Sequence, residues 1–144
     1  MSPEMMSKLR RSLVEHEGYK NYPYFDTSTP ANITIGIGYN LSTNGIDDEW
    51  INNQYLKDIN YFNNKLSSFD WFAGLNSDRK IALIDMCFMG WQKFLEFKNF
   101  IEALSKYDYK TASSEILNSL WATQVKNNRA NTIANVILTG VYNI

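Results

Sequence analysis

The chain reads as an α+β protein because its periodicity changes twice. Met5, Leu9 and Leu13 recur at helical spacing, and that rhythm stops at Glu17-Gly18. Two short aromatic and β-branched runs follow, Tyr22 to Phe25 and Ile33 to Tyr39, separated by Asp26 and a loop containing Pro30, which predicts a hairpin. From Asp47 onward the helical period returns and holds to the end. The predicted architecture is a small N-terminal lobe with a short antiparallel β-sheet, over about residues 18–50. A long helix over about 47–66 links it to a mainly α-helical C-terminal lobe over about 67–144, to which the first helix is added. At 144 residues one domain is the simplest reading, and a domain of this size buries roughly 68–70% of its unfolded surface.

The elements follow in order. Ser2, Pro3 and Glu4 make a helix start, a hydroxyl cap followed by proline where its missing N–H costs nothing and an acid in the first turn. Gly18 supplies the positive φ that ends this helix and leaves Glu17 in its last turn. The orphan carbonyls there favour a protonated carboxyl, and burial among Tyr19, Tyr22 and Tyr24 is expected to add to that. Thr27 to Asn32 is turn chemistry, and taken alone Asp26 reads as a cap for that turn. Ser42 to Gly45 is predicted as loop. Asp47-Asp48-Glu49 opens the bridging helix, with Ile51, Tyr55, Ile59, Phe62 and Leu66 along one face. Phe69, Trp71 and Phe72 read as core. Ser77 is the expected cap of a helix so apolar, from Ile81 to Met89, that burial on all sides is predicted. Helices Phe97 to Lys106, Tyr109 to Trp121 and Asn128 to Thr139, the last stopped by Gly140, are expected to surround it.

Composition excludes several functions. A formal net charge of −1 lacks the basic excess that phosphate binding needs, so nucleic acid is not an expected partner. The last segment, from Trp121, is locally basic through Lys126 and Arg129. No run approaches the ~20 apolar residues of a membrane span, and the acidic start is unlike a signal peptide. A soluble monomer made in the cytoplasm is expected, without stable membrane insertion. The single cysteine, Cys87, cannot form an intrachain disulfide and reads as a small core residue. His16, the only histidine, is a poor metal site by itself and reads as a surface side chain. No metal or other cofactor is expected.

The order Glu17-Gly18, then Tyr24-Phe25-Asp26-Thr27, then Thr34-Ile35-Gly36-Ile37-Gly38 resembles the phage-type lysozymes of glycoside hydrolase family 24, which include many phage endolysins. The central run Asp78 to Met86, the segment Asn128-Arg129-Ala130 and the ending Leu138-Thr139-Gly140 extend the resemblance through nearly the whole chain. It implies a lysozyme-like fold and a muramidase that cleaves the β-1,4 bond between N-acetylmuramic acid and N-acetylglucosamine in bacterial peptidoglycan. Glu17 would be the general acid, Asp26 the base-side carboxylate, and Thr34 a holder of the attacking water. Gly36, Gly38, Tyr39 and Phe88 would contact substrate or support the site. Arg129 would orient the catalytic acid. Wall degradation would then depend on another agent, such as a holin or an injection apparatus, to carry the protein across the membrane. Three departures stand out: Tyr39 in place of histidine, no polar residue in Phe88-Met89-Gly90 where the family has one, and a longer Asp26-to-Thr34 loop. Two alternatives remain, a lytic transglycosylase that needs only the acid, and a non-catalytic wall-binding or effector module.

Overall fold

The computed structural model describes residues 1–124 and 128–143, so Lys126 lies outside the described residues. The protein is mixed α+β, with a three-stranded antiparallel sheet near the N-terminus followed by helices. Two compact units divide the chain, Met1–Gln54 and Tyr55–Ile144.

The first unit opens with α1, Pro3–Glu17, capped by the Ser2 hydroxyl, which accepts the Met5 N–H at 3.2 Å. α1 falls within the same compact unit as the sheet. Its ties there are local: Glu17 lies against Gly38, and the Arg10 guanidinium sits 5.6 Å from the Tyr19 ring centroid. None of its residues is buried.

The sheet has the order β1-β2-β3, with β1 Lys20–Phe25, β2 Ile33–Gly36 and β3 Tyr39–Asn40. The single strand expected from Ile33 to Tyr39 is broken in two because Gly36 and Gly38 both take φ of +67°, which turns the chain back on itself. On the other side, Lys20 pairs with Gly36 and Tyr24 with Thr34, so β1 carries a bulge between Lys20 and Tyr24. Leu41–Asn44 forms a one-turn helix, α2, although Ser42 to Gly45 is expected as loop. The Asn40 side chain caps it by accepting the Thr43 N–H at 3.0 Å. α3 runs Asp48–Leu66, as its acidic start and apolar spacing predict.

The second unit holds the core. After a 3-10 turn, Asp70–Gly74, which buries Trp71 and Phe72, come α4 Ser77–Cys87, α5 Trp91–Leu95, α6 Lys98–Ser105, α7 Tyr109–Leu117, α8 Leu120–Gln124 and α9 Arg129–Thr139. The α4 cap is Asn76 rather than Ser77, since the Asn76 side-chain Oδ1 accepts the Arg79 N–H. α4 is buried on one face only, through Ala82, Leu83, Met86 and Cys87; Ile81 and Phe88 remain about half exposed, contrary to the all-round burial expected. The predicted Tyr109-to-Trp121 helix is interrupted. The Ser119 hydroxyl donates to the Ile116 carbonyl and accepts the Ala122 N–H, which ends one helix and starts the next.

α7 and α9 approach closely because the facing residues are small: Ala112 and Ser113 on α7, Ala130 and Ala134 on α9. The Ser113 hydroxyl is buried and donates to the Ala134 carbonyl at 2.9 Å, so the close approach leaves no polar atom unpaired there. Ile116, Ile133 and Ile137 are fully buried in this layer. Truncating one of these isoleucines to alanine costs about 2–5 kcal/mol.

Candidate active site

Glu17 is the last residue of α1 and Gly18 the residue that ends it, with φ of +83° and the Gly18 N–H bonded to the Val14 carbonyl. The chain then enters β1 directly, which aims the Glu17 side chain at the β2–β3 turn. A Cβ placed on Gly38 would lie 2.9 Å from Glu17 Oε2 and 3.1 Å from its Cβ. Glycine at 38 therefore serves twice, in the positive φ of the turn and in the space it leaves for the carboxyl. Glu17 is exposed, as are the rings of Tyr19 and Tyr22, so the burial expected around the acid is not found. A helix end followed at once by an edge strand puts these tyrosines on the rim rather than over the carboxyl.

Asp26 follows the last residue of β1, and its carboxylate organises the loop. Oδ1 accepts the backbone N–H groups of Ser28 at 3.0 Å and Asn32 at 2.8 Å, and Oδ2 accepts the Asn32 side-chain amide at 3.2 Å. The Asp26 N–H returns a bond to the Asn32 carbonyl at 2.9 Å. The Asn32 backbone bond is the main reason that the Asp26 carboxyl is held below its ordinary value of 3.8; partial burial opposes it, and the Ser28 and Asn32 side-chain bonds add to it. Asp26 is thus kept ionised and fixed in position.

Thr34 stands on the central strand, paired with Tyr24 on one side and Asn40 on the other. At 5% exposure it is the only buried residue of residues 1–54 among the described ones. Glu17 lies against Gly38 beyond one end of β2 and Asp26 beside Asn32 at the other, with Thr34 on the strand between them. The Asp26-to-Asn32 loop closes on itself before β2 begins, and Thr34 keeps its pairing with Tyr24.

The other expected residues have surroundings of their own. Tyr39 donates its hydroxyl to the Gly45 carbonyl at 2.7 Å, bracing the segment that follows α2. Gly36 is the partner of Lys20 across the sheet. Phe88 and Arg129 belong to the second unit, where they line one groove of about 550 Å³ with Tyr55, Ile59, Ile81 and Ile84. Within that unit the Arg129 guanidinium is engaged by Asp85. Nε donates to Asp85 Oδ1 at 2.7 Å and Nη2 to the Asp85 carbonyl, while the Trp121 ring lies 5.8 Å away. The Tyr142 hydroxyl reaches the other Asp85 oxygen at 3.5 Å, and its pKa is raised by burial first and by the Asp85 charge second. The sequence reading did not single out Asp85. Its signal was an acid inside the apolar run Ile84-Asp85-Met86, where an unpaired charge is not expected. Asn32 was likewise passed over as turn chemistry.

His16 is exposed, with its ring within 3.4 Å of the Ser12 hydroxyl, and Cys87 is buried with its thiol pushed up to about 12 by desolvation. Neither has the surroundings of a reactive group. No helix among the described residues is long and apolar enough to cross a membrane. No protein-family model matches the chain, and no curated protein matches it significantly.

Proposed function

We propose that this chain is a peptidoglycan hydrolase on a lysozyme-like fold, a muramidase acting on the β-1,4 bond between N-acetylmuramic acid and N-acetylglucosamine. The observation that carries the reading is the approach of Glu17 to Gly38. A carboxyl at a helix end is lodged against the second glycine of Thr34-Ile35-Gly36-Ile37-Gly38, the two motifs on which the resemblance rests. Glu17 protonates the departing glycosidic oxygen. Asp26, ionised and immobile, works with Thr34 to activate or position a water on the opposite face of the sugar, in a single displacement. In this reading α3 is the bridging helix of the fold. The protein reaches the wall from the cytoplasm through an independent agent and acts there as a monomer without a metal or other cofactor.

One observation favours a second reading. Both Asp26 oxygens already hold the loop together, which is what a structural carboxylate does in a lytic transglycosylase that needs only the acid.

Products of digesting purified peptidoglycan separate the two, a reducing muramic acid end for hydrolysis and an anhydro end for transglycosylation. Glu17→Gln is expected to cut wall lysis by at least ~10²-fold under either reading. Asp26→Asn cuts it similarly under hydrolysis alone, and Thr34→Ala falls between wild type and these two. Gly38→Ala, which displaces the Glu17 carboxyl, is expected to lose about 10²-fold in rate, the usual consequence of a small misplacement of a reacting group. Full lysis by Glu17→Gln would remove the assignment.

A further inference from the structure

Unit 1 contains a groove of about 640 Å³ that the candidate active site does not use, within the ordinary size of a small-ligand site. Side chains alternate across a strand, so Ile35 and Tyr39, which pair across β2 and β3, face away from Thr34, Tyr24 and Asn40. The groove lies on this Ile35/Tyr39 face, between the sheet and the first turns of α3.

Two aromatic rings line it, Tyr39 at 44% exposure and Trp50 at 49%. The Tyr39 ring is anchored by its hydroxyl, which donates to the Gly45 carbonyl at 2.7 Å, and the backbone that carries Trp50 is fixed at the start of α3 by the bond from its N–H to Asp47 Oδ1 at 2.8 Å. The polar rim adds Asn21, Asn53, Glu49 and Lys20. Each asparagine amide offers a donor and an acceptor side by side, the pattern that adjacent hydroxyls or an acetamido group complement.

We propose that this groove is a second saccharide site, which takes a neutral chain of N-acetylated hexopyranose units. A pyranose has an apolar face of C–H groups for an aromatic ring and a polar edge for amides and a carboxylate, and the groove presents both. Phosphorylated or nucleic-acid ligands are disfavoured, because Glu49 balances Lys20 and Asp47 leaves no cationic excess. A wholly apolar ligand would strip water from the Asn21, Asn53 and Glu49 groups without replacing their hydrogen bonds. Gly36 lines the groove as well, so two residues that the family resemblance ties to substrate, Gly36 and Tyr39, contact sugar here rather than at Glu17. The identity of the polymer rests on the muramidase reading; the existence of the site does not.

The test uses the full chain as Glu17→Gln, titrated with the β-1,4-linked tetramer of N-acetylglucosamine, with the Trp50 indole resonance followed by NMR and assigned by its loss in Trp50→Phe. A saturable shift of that resonance is expected. Trp50→Ala is expected to weaken binding by about tenfold or more, Asn53→Ala to weaken it in the same direction, and the tetramer of glucose, which lacks the acetamido groups, to bind more weakly. In an otherwise wild-type chain Trp50→Ala raises the wall concentration for half-maximal lysis by more than it lowers the plateau rate. A stationary Trp50 indole while resonances near Gly38 respond, or undiminished affinity in a folded Trp50→Ala, overturns the proposal. Saturable binding without any wall lysis by wild type would keep this site and remove the muramidase reading. Wall lysis by wild type without saturable binding at Trp50 would remove the site alone.

Discussion

At the scale of the residue, Asp26 holds its loop together and, in the proposed reading, also carries chemistry. Three donors converge on its carboxylate, and each is worth more to the charged form than to the neutral one. The folded pKa lies below the unfolded value near 3.8. The stability that Asp26 contributes is therefore complete above that value and is lost as pH falls through the lower folded one. Followed by NMR, the Asp26 carboxyl is expected to titrate below 3.8, with the Ser28 and Asn32 amides moving at the same midpoint. Asn32→Ala, which removes the side-chain donor, moves that midpoint upward. A midpoint at or above the ordinary value would mean that the loop does not hold the carboxylate. The same bonds favour the charged form of Asp26, which is the state the proposed base-side carboxylate needs.

At the scale of the element, three helices of the second unit are joined at one cation. Arg79 on α4 donates from Nε to the Ile137 carbonyl at 2.8 Å and from Nη2 to the Leu138 carbonyl at 3.1 Å, which satisfies the orphan end of α9. Its guanidinium lies 3.6 Å over the Tyr109 ring at the start of α7. Asn76 adds a bond to the Gly140 carbonyl at 2.8 Å, and Gly140, at φ +73°, has room for no side chain, since a Cβ would meet Arg79 and Asn76 at 2.9 Å. Three helices thus meet at one planar group. Arg79→Ala is expected to cost about 2–3 kcal/mol, the worth of charge-assisted bonds and a partly buried cation–π contact. Arg79→Lys should recover little, because a point charge cannot reproduce the fork and the stack. Chemical denaturation of the three proteins checks this, and a lysine variant as stable as wild type would contradict it.

At the scale of the whole molecule, the two units are built differently. Residues 77–139 supply most of the buried side chains, including Leu83, Met86, Ile116 and Ile133 at no exposure. In the first unit Thr34 alone is buried among the described residues, and α1 buries none. Local opening is governed by buried contacts. Amides in the buried turns of α4, α7 and α9 are therefore expected to exchange slowest with solvent, and those of α1 fastest. Equal protection of α1 and α9 would refute this ordering.

The sequence alone determined the element types wherever local chemistry is decisive. Ser2-Pro3-Glu4 at a helix start, the acids that open α3 and Gly140 at the end of α9 act within a few residues of themselves, so their effect is legible in order along the chain. The sequence also placed Glu17, Thr34 and Gly38 in motifs that the fold keeps on adjacent elements. Tertiary structure alone decided the rest. Whether Ile33 to Tyr39 is one strand or two depends on the φ of Gly36 and Gly38, and glycine permits either. Which face of α4 is covered depends on what packs there, since an apolar helix carries no instruction about its open side. The partners of Asp26, Arg129 and Arg79 lie 6, 44 and 58 positions away, respectively. A charge states that it needs a partner; only the packed chain selects which one.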